Sequence, residues 1–134
     1  GYGFGGPCFP RDNRALGTYA RKVGVIPEIC DATDKYNKIH ARIMTEALLA
    51  KDLPKYVIED VAYKPQCPVD IIEESQPLEV AKRLVRAGKT VTIKDRPGII
   101  ELVKRTYGRI FQYEVDDSLK FSEHTNNPMS SYKE

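Results

Sequence analysis

The sequence predicts an α/β protein in which a long helix is followed by a partial βαβαβ unit with a parallel sheet. Three observations predict it. Apolar residues recur at steps of three and four over about residues 31–51, the period of an amphipathic helix. Beyond Pro54, short β-branched runs alternate with helical ones. The breaks between these runs fall at glycine and proline.

Taken in order, residues 1–14 read as a loop. A short helix is expected over Gly17–Lys22, with Leu16, Tyr19 and Ala20 on one side, and Gly24 to Pro27 break it. The long helix follows, its stripe formed by Tyr36, Ile39, Ile43, Ala47 and Ala50 and widened by Met44 and Leu48. Asp31 or Thr33 is its expected cap. A helix of about 20 residues spans about 30 Å, enough to brace domains or to pack against a second copy.

Tyr56–Tyr63 is β-rich, although Glu59 and Asp60 weaken it, and residues 64–75 form a loop with Pro65 and Pro68. Ser75 caps a helix over 76–87, Pro77 sits in its first turn and Gly88 stops it. Its inward stripe is Leu78, Ala81, Leu84 and Val85. Thr90–Ile93 is a strand, Asp95–Gly98 a turn, and Ile99–Tyr107 a helix with Ile100, Leu102 and Val103 inward. Ile110–Val115 is the third strand. This order implies parallel strands with right-handed crossovers, half of a doubly wound, Rossmann-like fold, with an exposed edge strand. Residues 116–134 are polar and are expected to form a disordered tail or a segment held by a neighbour.

Composition excludes several functions. The 134 residues carry 21 basic and 19 acidic side chains, a formal net charge of +2, too balanced for a nucleic-acid or anionic-membrane surface. No apolar run approaches the roughly 18 residues of a membrane span. Cys8, Cys30 and Cys67 are an odd number at wide spacing, which fits a reducing cytoplasm better than a disulfide framework. With only His40 and His124 beside them, no metal site is expected.

The chemistry concentrates at residues 1–12, where four glycines in six positions precede Cys8, Arg11 and Asp12. Gly1, Gly3 and Gly6 spell G-x-G-x-x-G, but no strand precedes them and Pro7 and Pro10 follow, so the context of a dinucleotide turn is missing. The glycines instead allow close backbone approach to a ligand. Cys8 is a candidate nucleophile, Asp12 a candidate base or water-positioning group, and Arg11 places positive charge near the thiol. A flexible linker with an incidental cysteine is the plain alternative. Lys64 follows the first strand of the α/β unit, where open sheets bind ligands, and is otherwise a solvated loop lysine.

Two blocks in this order resemble the nucleotide-sugar 6-dehydrogenases, the family of UDP-glucose and GDP-mannose dehydrogenases. Gly1-Tyr2-Gly3-Phe4-Gly5-Gly6-Pro7-Cys8-Phe9-Pro10-Arg11-Asp12 looks like its catalytic-cysteine loop. Val61-Ala62-Tyr63-Lys64-Pro65, with Glu74-Ser75 beyond, looks like the opening of its C-terminal nucleotide-binding domain. The resemblance implies oxidation of a sugar C6 alcohol to a carboxylate with two NAD. Cys8 would form a thiohemiacetal and then a thioester, with Asp12 assisting the water or proton transfers. Gly1, Tyr2, Gly3, Phe4 and Gly5 would line the UDP-sugar, Tyr63 and Lys64 would contact it, and Arg11 would stand near the cofactor. The helix would form a homodimer interface. The implied parts are the cysteine loop and connecting segment over 1–30, the dimer helix over 31–53, a partial UDP-sugar-binding domain over 54–115 and the tail. The family's N-terminal NAD domain does not occur in this sequence, so the isolated chain is expected to be inactive. The family's arginine before Glu-Ser is replaced here by Glu73. A non-catalytic nucleotide-sugar-binding or assembly fragment is the alternative.

Overall fold

The computed structural model describes residues 2–65 and 67–119. Its elements run α1 (Phe9–Lys22), α2 (Glu28–Leu49), β1 (Lys55–Glu59), α3 (Gln76–Arg86), β2 (Thr90–Asp95), α4 (Pro97–Tyr107) and β3 (Gln112–Val115), with a 3-10 turn at Asp117–Leu119. The three strands lie in the order β1-β2-β3 and both pairings are parallel. Tyr56 stands opposite Val91, and Ile93 opposite both Ile58 and Tyr113. The architecture is therefore the expected α/β one, a long helix followed by βαβαβ. Most of the predicted tail lies outside the described residues.

The core lies between the sheet and its helices. Central β2 contributes Val91 and Ile93, α3 contributes Leu78, Val80, Ala81 and Leu84, and α4 contributes Ile99, Ile100 and Val103. Burying each of the Val, Leu and Ile side chains stabilises by about 1.5–3 kcal/mol. Ser75 caps α3 as expected: its Oγ accepts from the Leu78 N–H at 3.2 Å. The same hydroxyl donates to the Val61 carbonyl at 2.8 Å, so the cap also tethers the β1–α3 loop. Gly88 stops the segment after α3 with φ +79°, a conformation that glycine adopts without a Cβ penalty.

Several boundaries differ from the sequence expectation. Helix α1 begins at Phe9, inside the expected loop, because Pro10 sits in its first turn, where a missing N–H costs nothing. Pro27, rather than Asp31 or Thr33, stands at the N-cap of α2. Strand β1 ends at Glu59, and Asp60 turns left-handed at φ +51°, so the two acids end the strand. Asp95 belongs to β2, and Pro97 starts α4 instead of closing a turn. Ile99 takes the inward place expected of Leu102.

The long helix is also turned differently. Its buried residues are Asn37, Ala41 and Thr45, flanked by Met44 and Leu48 against the core. Tyr36 and Ile43, from the expected stripe, are exposed. Leu16, Tyr19, Val23 and Ile26 are likewise exposed on α1 and the turn after it. Periodicity locates an apolar stripe but does not say which body covers it.

Candidate functional site

The glycine loop is threaded between three elements. The Phe4 N–H donates to Asn37 Oδ1 of α2 at 3.0 Å, and Asn37 Nδ2 donates back to the Phe4 carbonyl at 2.8 Å. The Gly6 N–H donates to the Glu73 carbonyl, just before α3, at 2.9 Å. Glycine is required along this path. A Cβ on Gly3 would overlap the Asn37 side chain, and one on Gly5 would overlap the Glu74 backbone carbonyl. Gly6 has φ +90° and lies against the Tyr63 ring.

This threading brings most of the predicted ligand-contacting residues together. Tyr2, Gly3, Phe4 and Gly5 line one wall of a cavity of about 470 Å³, and Ala62, Tyr63, Lys64 and Pro65 line the facing wall. Glu59 and Asp60, at the C-terminal end of β1, close one side, where open parallel sheets characteristically bind ligands. The Lys64 ammonium lies 5.5 Å from the centroid of the Tyr63 ring. Asp60 and Glu74 are both left-handed without being glycine, and such strain is concentrated at functional sites. Gly1 lies outside the described residues.

The β1–α3 segment is anchored from beneath by Asp95. Its Oδ2 accepts from the Val61 N–H and its Oδ1 from the Arg96 N–H, each at 2.7 Å. The carboxyl is 2% exposed, and burial pushes its pKa up from the ordinary aspartate value, against the opposing pull of the two N–H donors.

Cys8, Arg11 and Asp12 do not line this cavity. Cys8 is the N-cap of α1 and its thiol is exposed. The ring of Phe9 meets the ring of Phe4 edge-on at 4.6 Å, linking the start of α1 to the glycine loop. Arg11 Nε donates to Asp12 Oδ1 at 2.8 Å on the open surface, and that hydrogen bond raises the guanidinium pKa further. The glycine loop does not form a dinucleotide turn. It packs against Asn37 and the Glu74 carbonyl, and the neighbouring guanidinium is already paired with an acid. Among the described residues this loop therefore offers no dinucleotide cradle. Nor do the described residues contain a group of three His, Cys, Asp or Glu side chains able to hold a metal ion.

Sequence reasoning missed Asn37, Asp95 and Arg14. Arg14 Nη2 donates to Glu74 at 3.0 Å and its Nε to Asp34 of α2 at 2.8 Å, tying α1 to the α3 entrance. A hydrogen bond from Lys38, joined by one from Arg14, holds the Asp34 carboxyl below the usual carboxylate range. That stabilisation is present above the unfolded pKa, about 3.9, and disappears as pH falls through the lower folded value. Asp34→Asn is expected to cost up to about 1 kcal/mol at pH 7, because the pair is partly solvated. Urea unfolding at pH 7 and again below pH 3 should show the difference closing in acid.

Residues 1–39 match the family model described as "UDP-glucose/GDP-mannose dehydrogenase family, central domain". A curated GDP-mannose 6-dehydrogenase of Pseudomonas putida is 30% identical over 95 residues, 71% of this chain and 21% of that protein. The chain belongs to the nucleotide-sugar 6-dehydrogenase family. A UDP-glucose 6-dehydrogenase of Rickettsia bellii is 28% identical over 90% of the chain and 28% of its own length. Among solved structures, a UDP-glucose dehydrogenase from the hyperthermophilic archaeon Pyrobaculum islandicum superposes with a TM-score of 0.77 at 27% identity, covering 85% of this chain and 27% of that one. A GDP-mannose dehydrogenase from Pseudomonas aeruginosa gives 0.77 at 22% identity over 88% and 29%, a likeness of fold. The chain thus spans less than a third of the length of these relatives.

Proposed function

We propose that the chain is the catalytic-cysteine and substrate-binding portion of an NAD-dependent UDP-sugar 6-dehydrogenase, of the UDP-glucose to UDP-glucuronate type. The observation that carries this is that Tyr2–Gly5 and Tyr63–Lys64 line one shared cavity. Its backbone-rich wall suits a sugar nucleotide, and Lys64 supplies a cation for the phosphates. In this reading a nucleotide sugar bound there presents its sugar to Cys8, which the Phe4–Phe9 contact ties to the same loop. The thiol then adds to the C6 aldehyde: the sulfur–carbon bond forms, the carbonyl π pair moves to oxygen, and the thiol proton ends on that oxygen. Cys8 caps α1 with no side-chain hydrogen bond, so the N–H groups of Phe9 and Arg11 are the first-turn donors that would serve the developing oxyanion. Asp12 serves the later proton transfers, and Arg11, held by Asp12 on the open surface, is assigned to the cofactor side by resemblance alone. The hydride acceptor is NAD by resemblance alone, since the described residues offer it no cradle.

In this reading residues 1–30 are the cysteine loop and connecting segment, 31–53 the dimer helix, 54–115 a partial UDP-sugar-binding domain and 116–134 a polar tail. The exposed side chains Ile29, Tyr36 and Ile43 support a homodimer. Three free cysteines suit a reducing cytoplasm. No described helix is long and apolar enough to cross a membrane.

A titration with UDP-glucose tests the binding half. Lys64→Ala should weaken it by about tenfold or more, the loss expected when a charged hydrogen bond is removed. An unchanged Kd would overturn the assignment of the cavity. The second reading, a non-catalytic nucleotide-sugar-binding or assembly fragment, is favoured by Cys8 and Asp12 lying outside the cavity lining. Cys8→Ser separates the two. In a form complemented with a dinucleotide-binding domain, it should abolish turnover and leave UDP-glucose affinity intact. Retained turnover would favour the second reading.

A further inference from the structure

Asn37 is an unusual residue for its place. It lies inside a 22-residue helix, on a face continued by Ala41 and Thr45, and is 6% exposed. Asparagine is a poor mid-helix residue because its amide competes for local backbone groups. Here both functions of that amide are spent 33 residues away, on the main chain of Phe4. The amide acts as a one-residue strand partner, satisfying one donor and one acceptor of a segment that no strand accompanies.

The same amide also dictates the neighbouring residue. Gly3 passes so close to Asn37 Oδ1 that any Cβ would overlap it, and Gln76 Oε1 of α3 stands 3.4 Å from where that Cβ would be. Two buried amides therefore flank the loop at its narrowest point. Beyond it, the Phe4 ring rests edge-on against Phe9, the residue that follows Cys8.

We infer that Asn37 is a positioning residue: its bidentate hold on Phe4 fixes the glycine loop as a wall of the nucleotide-sugar cavity and fixes the path from that wall to Cys8. This rests on the reading of the cavity proposed above. The geometry calls for one acceptor and one donor on the same side chain. Aspartate accepts from the Phe4 N–H but cannot donate to its carbonyl, and leucine does neither.

The test compares Asn37→Asp and Asn37→Leu with the unaltered chain. Amide hydrogen exchange is read at Phe4 and at Val91–Ile93 of β2, together with UDP-glucose affinity. With β2 protection unchanged, Phe4 should exchange at least tenfold faster in Asn37→Leu but remain protected in Asn37→Asp. UDP-glucose affinity should fall at least tenfold in the leucine variant and by less in the aspartate one. A purely structural asparagine would lower β2 protection together with Phe4 protection, and that result overturns the inference. So does wild-type affinity in an Asn37→Leu chain whose Phe4 exchanges fast. If the unaltered chain fails to bind UDP-glucose, the cavity reading falls, and the Phe4 and β2 exchange rates alone decide whether Asn37 holds the loop.

Discussion

Asp95→Ala is expected to lower the free energy of unfolding by about 2–4 kcal/mol, since it leaves the Val61 and Arg96 N–H groups without their acceptor. The Val61 amide is the more costly loss, because the residue is fully buried. Asp95→Asn keeps a single oxygen for two donors and is expected to cost about 1–3 kcal/mol. The pH dependence separates charge from geometry. Burial raises the folded pKa of Asp95 above its unfolded value, so the proton-linked part of its contribution is fully present below the unfolded pKa, about 3.9, and is lost as pH rises through the folded pKa, while the two accepted hydrogen bonds remain. Asp95→Asn should lack that slope. Urea denaturation of the two variants between pH 3 and pH 7 checks both points. The effect reaches the site as well. Val61 opens the segment that carries Tyr63 and Lys64, so UDP-glucose affinity should fall with stability.

Gly5→Ala is the second large effect. Its added Cβ would meet the carbonyl of Glu74, which is backbone and cannot swing aside as a side chain would. Glu74 is already left-handed at φ 50° and precedes the Ser75 cap, leaving the segment little room to yield. Forcing a methyl group into such a space typically costs about 1–3 kcal/mol. The displaced loop should also weaken UDP-glucose binding. Thermal unfolding with and without UDP-glucose measures both quantities. A variant with unaltered stability would show that the loop does not pass as closely over the α3 entrance as its glycines imply.

These effects mark how far the sequence could be read. The βαβαβ order was legible because Ser75, Gly88 and Pro97 punctuate it, although Pro97 proved to be a helix start. The glycine loop and the Tyr63–Lys64 block were legible as separate motifs, and the cavity between them is the fold's work, since 58 positions in sequence separate Gly5 from Tyr63. Asn37 was hidden by its own helix. A hydrophobic stripe through Tyr36, Ile39 and Ile43 gave the stronger periodic signal, while the inward face was the weaker polar series Asn37, Ala41 and Thr45. The spacing of four in that series was the available clue. Asp95 reads as a turn residue because Asp-x-Pro-Gly is ordinary turn chemistry, and nothing local shows that its carboxylate reaches back to Val61. The start of α1 is hidden because glycine and proline density reads as loop until Pro10 is placed in a first turn.

The central claim is that a nucleotide sugar in the Tyr2–Lys64 cavity places its sugar at Cys8. Its most direct test is the rate at which iodoacetamide modifies Cys8, read by peptide mass spectrometry with and without saturating UDP-glucose. Cys30, tied into the α1–α2 contact through its carbonyl, serves as the internal reference. The account predicts that UDP-glucose slows Cys8 modification at least fivefold and leaves Cys30 unchanged. Equal Cys8 rates in the presence and absence of bound nucleotide sugar would contradict it.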